Sequence, residues 1–224
     1  MEEVASKVLS TKPTLFSYFR SSASWRVRLV LALKGIEFTY QAVNITKDGG
    51  AQQYSEDYAK MNPMNRVPAL FIDGKCLGES IAIIEYLEET RPDTRKVFPS
   101  DPYLRAKARQ LTEIINSGIQ PLQNLEVLNK IEDELKGDRK EWAQHFIKKG
   151  MNAFEEIIKE TRGKYCIGDE VSIADVCLIP QCFAAERFGV DLATFPNIKE
   201  IRDSLTGLPE FIAGDLKSQP DYVA

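Results

Sequence analysis

The sequence predicts a mixed α/β domain followed by an all-helical one. Three observations point there. Strand-like and helix-like segments alternate as far as Thr90. An Asp73-Gly74 pair joins two short apolar runs, a strong hairpin signal. Prolines at 92, 99 and 102 then interrupt regular structure, and the periodic segments beyond them carry apolar residues at three- and four-residue intervals.

The elements follow in order. Leu15 to Tyr18 reads as a strand, and Ser24 to Lys34 as a helix stopped by Gly35. Phe38 to Asn44 alternates like a second strand, and a looser helical piece runs from Gln53 to Met61. Ala69 to Ile72 and Lys75 to Leu77 form the hairpin, and Ser80 to Thr90 a helix. The order is βαβαββα, with parallel pairing in the first half and antiparallel pairing in the hairpin. A linker over Arg91 to Pro102 separates a first domain, 12–91, from a helical second domain, 103–224. In that second domain Leu104 to Ile115, Ile119 to Leu135 and Trp142 to Glu160 read as amphipathic helices. Val171 to Arg187 is apolar on nearly every face and so predicts a fully buried helix, with Ser172 and Asp175 as its capping box and Pro180 inside it. A last helix near Ile198 to Leu205 precedes an irregular tail.

Composition excludes several function classes. At 224 residues the chain can bury one large core or two small ones. A formal charge of −4 provides no general attraction to nucleic acid. No apolar run reaches the roughly 18 residues of a membrane span, and Met1 to Thr11 reads as a loose tail, not a signal peptide. Cys76, Cys166, Cys177 and Cys182 show no C-x-x-C spacing, and His145 is the single histidine, so no metal site is expected. Reduced thiols in the cytoplasm are the simpler reading, with most of the cysteines filling core.

The stretch with the most chemistry is Ser21-Ser22-Ala23-Ser24-Trp25-Arg26-Val27-Arg28, hydroxyl-rich and placed where a strand gives way to a helix. Backbone N–H groups at a helix start favour an anion, and a serine hydroxyl adds a donor. No Gly-rich loop is present, so a thiolate carried by a small molecule is a candidate anion beside phosphate. From spacing alone, Ser21, Ser22 and Ser24 also read as helix caps.

The chain resembles the zeta-class glutathione transferases. The strings that carry the resemblance are Ser17 to Ser22, Ser24 to Arg28, Lys47-Asp48-Gly49-Gly50, Asn62-Pro63-Met64, Val67-Pro68 and Ala82 to Pro92, then Gly118 to Leu125, Gly168 to Val171 and Ala185 to Phe188. The Ser-Ser-x-Ser-Trp-Arg and Ile-Gln-Pro-Leu-Gln-Asn strings are the specific ones. The resemblance implies a thioredoxin-like first domain, a helical second domain, a homodimer and glutathione as cofactor. It implies that Ser22 activates the glutathione sulfur, with Ser21, Ala23, Ser24, Trp25 and Arg26 around it. Val67, ahead of an expected cis proline at Pro68, would pair its backbone with the cysteinyl part. Glu79 and Ser80 match the positions for the γ-glutamyl end, and Gln53, Gln120, Asn124, Leu125 and Glu126 match further glutathione contacts. Arg187 matches the position facing the substrate. Many relatives carry cysteine where this chain has Ala23.

The implied reaction is glutathione-dependent cis–trans isomerisation of maleylacetoacetate in phenylalanine and tyrosine breakdown, with activity on small electrophiles or α-haloacids beside it. Two alternatives stand: a conjugating detoxification transferase, and a non-catalytic protein that keeps the fold for association. Among the remaining residues, Asp175 reads as a cap, His145 as solvated, Trp25 and Tyr18 as packing, and Arg20 and Arg26 as structural or surface groups.

Overall fold

The computed structural model describes residues 12–46 and 51–223. The 1–11 tail and the Lys47 to Gly50 string lie outside the described residues. The chain divides into two compact units, one reaching Arg95 and taking in the residues from Pro209 onward, the other Lys96–Leu208.

In the first unit, β1 (Thr14–Ser17), β2 (Thr39–Ala42), β3 (Ala69–Ile72) and β4 (Lys75–Gly78) form a sheet of order β2-β1-β3-β4. β1 and β2 are parallel, with Thr14 opposite Thr39 and Ser17 opposite Ala42. β1 and β3 are antiparallel through Leu15 and Leu70, and so are β3 and β4. The turn between β3 and β4 puts both Asp73 (φ 51°) and Gly74 (φ 73°) in the left-handed region, as a two-residue hairpin turn demands. This mixed sheet and the βαβαββα order match the thioredoxin-like domain that the resemblance implies.

Helix α1 (Ser22–Leu33) starts two residues earlier than the sequence suggests. Ser21 is extended and its hydroxyl accepts from Ser24 N at 3.2 Å, which makes it the N-cap. The helix ends as expected: Gly35 has φ 63°, Gly35 N donates to Ala32 O, and Ile36 N to Leu31 O. Val27, Leu29, Val30 and Leu31 are fully buried. A 3₁₀ turn (Gln52–Tyr54) and α2 (Glu56–Met61) replace the looser helical piece, and α3 spans Ser80–Thr90. The buried Lys34 ammonium binds Glu88 of α3 at 2.7 Å, Thr94 Oγ1 at 3.2 Å and Arg95 O at 3.0 Å, holding the chain as it leaves α3.

The second unit is helical, with α4 (Pro102–Asn116), α5 (Leu125–Asp133), α6 (Arg139–Thr161), α7 (Ile173–Arg187) and α8 (Pro196–Leu205). The run Ile119 to Leu135 divides instead of forming one helix. Pro121 sits in a 3₁₀ turn (Gln120–Gln123), and Asn124 is extended, its side chain capping α5 through Glu126 N. Every residue of α7 from Ile173 to Cys182 is buried, Pro180 included. Asp175 is fully buried and reaches back to Ser172 N and Oγ, both at 2.8 Å. Glu155 of α6 caps α8, accepting from Asn197 N and Ile198 N at 2.9 Å each.

Two sequence expectations change at the far end. The segment read as an irregular tail contains α9 (Pro209–Gly214) and a 3₁₀ turn (Leu216–Ser218). The residues from Pro209 onward also pack with the first unit, whereas the sequence reading carried the helical domain to 224. Short spacing signals cannot report this, because the partner of α9 is α1: Arg28 Nε donates to Gly214 O at 3.0 Å. A Cβ at Gly214 would lie 2.7 Å from Leu29 Cδ2 and 3.3 Å from Leu29 N. Leu29 is fully buried and has no room to yield. Gly214→Ala is therefore expected to lower stability by about 1–3 kcal/mol, read as a fall in the urea midpoint at constant slope.

Candidate active site

The N-terminus of α1 separates the serines by role. Ser21 spends its hydroxyl on the cap. Ser24 is fully buried, and its Oγ has no hydrogen-bond partner among the described residues. Ser22, at the first helical position, is partly exposed, and no described residue takes its hydroxyl. The helix start thus presents one accessible hydroxyl beside unspent backbone N–H groups, an arrangement suited to an anion. Ala23 is half-buried next to it.

Two arginines and a tryptophan back this turn. Trp25 is buried and takes the packing role expected of it; the Arg28 guanidinium lies 6.0 Å over its ring. Arg26 is not a surface group: it is 1% exposed, and its Nη1 donates to Ser80 Oγ at 3.2 Å. That contact ties the start of α1 to the start of α3. Arg20 lies 5.9 Å over the rings of Tyr18 and Phe19, and Tyr18 is buried.

Val67–Pro68 is a cis peptide, as expected, and Val67 precedes the first ladder pair of β3. The backbone before it is pinned by side chains the sequence reading assigned no role. Tyr58 OH donates to Arg66 O at 2.8 Å and Asn62 Nδ2 to the same oxygen at 2.7 Å. Burial pushes the Tyr58 phenol up, so it stays a donor. Glu79, N-cap of α3, is exposed with φ 59° and ψ 112°. A glutamate held there costs on the order of 1–3 kcal/mol, and such outliers cluster at ligand sites. Ser80, the first residue of α3, is buried. Gln53 is buried, and its Oε1 has no partner among the described residues. The same holds for Asn65 Oδ1, on a residue with φ 53° that the sequence reading did not select.

The second unit carries the other predicted residues. Gln120 opens the 3₁₀ turn, Asn124 caps α5, and the exposed Leu125 and Glu126 form its first turn. The turn is locked by a reciprocal pair of hydrogen bonds between Gln123 and Gln181, at 3.1 and 3.3 Å, and by Trp142 Nε1 donating to Leu122 O at 3.0 Å. Arg187 is exposed in the last turn of α7, 5.5 Å over the Phe188 ring, beyond the stretch Ile173 to Cys182 in which every residue of that helix is buried. His145 is exposed, and Cys166, Cys177 and Cys182 are buried free thiols. Asp175 caps α7 and lies away from solvent, its carboxyl raised above the usual range by burial against the opposing pull of its hydrogen bonds.

Comparison with known proteins identifies the family. The glutathione S-transferase N-terminal domain matches residues 12–89, and the glutathione S-transferase C-terminal domain matches residues 125–213. Maleylacetoacetate isomerase of Rattus norvegicus is 54% identical over 213 residues, 95% of this chain and 96% of its own. A crystal structure of maleylacetoacetate isomerase from Anaeromyxobacter dehalogenans with GSH bound in its active site is 39% identical, with a TM-score of 0.84 over 94% of this chain and 97% of that one. The holo structure of a maleyl pyruvate isomerase, a bacterial zeta-class glutathione S-transferase, is 32% identical with a TM-score of 0.89, covering 94% of this chain and 100% of that one. The chain therefore belongs to the glutathione S-transferase family, in the zeta-class group that includes the maleylacetoacetate isomerases.

Proposed function

We propose that this protein is a glutathione-dependent isomerase that converts maleylacetoacetate to fumarylacetoacetate in phenylalanine and tyrosine catabolism. The observation that carries the reading is the Ser22 hydroxyl, partly exposed at an anion-favouring helix start and taken by no described residue. The buried, partnerless Gln53 Oε1 and the strained Glu79 support a peptide-like ligand with polar ends. Glutathione, when bound, supplies a thiolate that adds to the substrate double bond, lets it rotate, and leaves again.

The chain's own residues do the rest. Ser22 donates to the sulfur and keeps it ionised. A free thiol has a pKa near ~8.5, and lowering it two units takes about 2.7 kcal/mol. A charge-assisted hydrogen bond contributes about 1.5–3 kcal/mol and a helix start about 0.3–1 kcal/mol, so Ser22 on α1 suffices without metal or histidine. The Val67 backbone pairs with the cysteinyl unit. The Glu79 carboxylate accepts from the γ-glutamyl ammonium, and the Ser80 end of α3 receives its carboxylate. Arg26, by donating to Ser80 Oγ, leaves the Ser80 proton to face that carboxylate. Gln53 adds an amide to the peptide. The family resemblance assigns further glutathione contacts to Gln120, Asn124, Leu125 and Glu126; the Asn124 oxygen is spent on the α5 cap, which leaves its amide NH₂ as the donor. Arg187 receives a substrate carboxylate.

Maleylacetoacetate with trace glutathione provides the test. Product far in excess of the glutathione present, with glutathione recovered, is the expected result. Consumption of glutathione one for one would make the chain a conjugating transferase, and no turnover at all would leave the reading without support. A cytoplasmic homodimer is part of the proposal. The four cysteines are free thiols, and Tyr54 (62% exposed) and Met64 (55%) of the first unit are large apolar groups that a second copy would cover. Sedimentation at twice the chain mass is the expected outcome. Among the described residues no helix is long and apolar enough to cross a membrane.

A further inference from the structure

The segment that leads into Ser22 is held by residues from the far end of the chain. Arg28 is buried and spreads its guanidinium over four acceptors: Gly214 O from Nε at 3.0 Å, Ser17 Oγ and Tyr18 O from Nη1 at 3.2 and 3.4 Å, and Phe19 O from Nη2 at 3.0 Å. Asp221 supplies the opposite polarity. Its Oδ2 accepts from Phe19 N at 3.0 Å and its Oδ1 from Tyr40 OH at 2.6 Å. The Tyr222 ring stands edge-on to Phe19 with centroids 5.6 Å apart. Both backbone polar groups of Phe19 are thus spent on charged side chains, one of each sign. Tyr18 O also accepts from Ser21 N at 3.0 Å, which closes the turn on the N-cap, and Ser22 is the next residue.

The Arg28 cation and the Tyr40 donor of this clasp both persist at neutral pH. Burial lowers the Arg28 guanidinium to about 10, with Tyr40, Asp221 and Asp215 opposing, so it is a cation at neutral pH. Burial, then the hydrogen bond to Asp221, pushes the Tyr40 phenol up, so it remains a donor. Asp221 itself is only partly buried and lies outside any helix or strand. A carboxylate there is not needed to fill a core, and water would otherwise solvate it. Its two charge-assisted bonds go instead to β2 and to the backbone three residues before the reactive hydroxyl.

We propose that Asp221 is a positioning residue for Ser22, acting through the Phe19 amide to hold the Tyr18–Ser21 turn at the geometry in which the Ser22 hydroxyl meets a sulfur anion. The inference rests on the role given to Ser22 above. A hydroxyl displaced by even a fraction of an ångström loses thiolate stabilisation before it loses the rest of the ligand's contacts.

The test compares wild type, Asp221→Ala, Asp221→Asn and Tyr40→Phe. It measures kcat, the glutathione KM, the pH titration of bound glutathione by thiolate absorbance, and thermal unfolding. Asp221→Ala is expected to lower kcat about tenfold and move the bound-thiol titration up by about one unit, with the glutathione KM within about twofold of wild type. Asp221→Asn, which keeps an acceptor for Phe19 N, is expected to restore most of both. An Asp221→Ala enzyme with the wild-type thiol titration, or a kcat loss that tracks only the unfolded fraction, overturns the proposal. If Asp221→Ala does not fold, Tyr40→Phe decides: it frees one Asp221 oxygen without changing charge, and an unshifted titration overturns the proposal equally. A wild-type protein with no glutathione-dependent turnover and no lowered thiol titration is a different failure, that of the underlying reading, and the inference falls with it.

Discussion

Replacing Ser22 with alanine is expected to lower kcat roughly 10- to 150-fold while raising the glutathione KM less than about threefold. The asymmetry follows from where the hydroxyl acts. In the proposed mode it faces the sulfur, so its bond is worth most when the sulfur is charged, and the other proposed glutathione contacts come from residues the substitution does not touch. The backbone N–H groups of α1 persist in the alanine variant, which is why some thiolate stabilisation survives. Ser21→Ala provides the contrast. Its hydroxyl is spent on Ser24 N, so its loss should appear chiefly as about 1 kcal/mol of stability. Steady-state kinetics of the two variants beside their unfolding curves separates the roles. Equal activity in Ser22→Ala would mean that another group activates the sulfur.

Asp175→Ala is expected to lower unfolding free energy by about 2–5 kcal/mol without changing the chemistry of the remaining folded enzyme. The carboxylate is fully buried and accepts three hydrogen bonds: Cys166 N at 2.9 Å on one oxygen, Ser172 N and Oγ at 2.8 Å on the other. Alanine leaves three buried donors without an acceptor, and each costs about 1–3 kcal/mol. Relief of the buried charge offsets part of that sum, which keeps the expected loss below the full total. Asparagine is a poor rescue, because both oxygens accept and the amide turns one of them into a donor. Urea unfolding of both variants checks this; a loss under about 1 kcal/mol would show that water reaches the cap.

Elements defined by local signals were legible in the chain. Asp73-Gly74 specifies its turn because both residues tolerate positive φ, and the helix over Ser80–Thr90 and the strand over Ala69–Ile72 fall where the apolar pattern puts them. The nearly all-apolar run of α7 from Ile173 to Cys182 is buried on every face, its two polar members, Asp175 and Gln181, taking partners inside the protein. The zeta-class strings named the family. The start of α1 was misplaced by two residues because Ser21, Ser22 and Ser24 all qualify as caps, and only the contact with Ser24 N selects Ser21. The break at Asn124 was hidden because the apolar spacing continues across it.

Taken alone, the amino-acid order determined the βαβαββα unit, the helical unit, the family, and the serine-rich helix start where the chemistry is proposed. These depend on residues near one another along the chain, whose propensities and spacings act locally. Tertiary structure alone decided that Arg26 joins Ser80, that Arg28 and Asp221 grip Phe19 from opposite sides, and that Pro209–Gly214 packs on α1. Those partners lie up to 202 positions apart, and an arginine or aspartate carries no mark of its distant partner. Burial gives the pairing its strength, and burial exists only once the chain has folded.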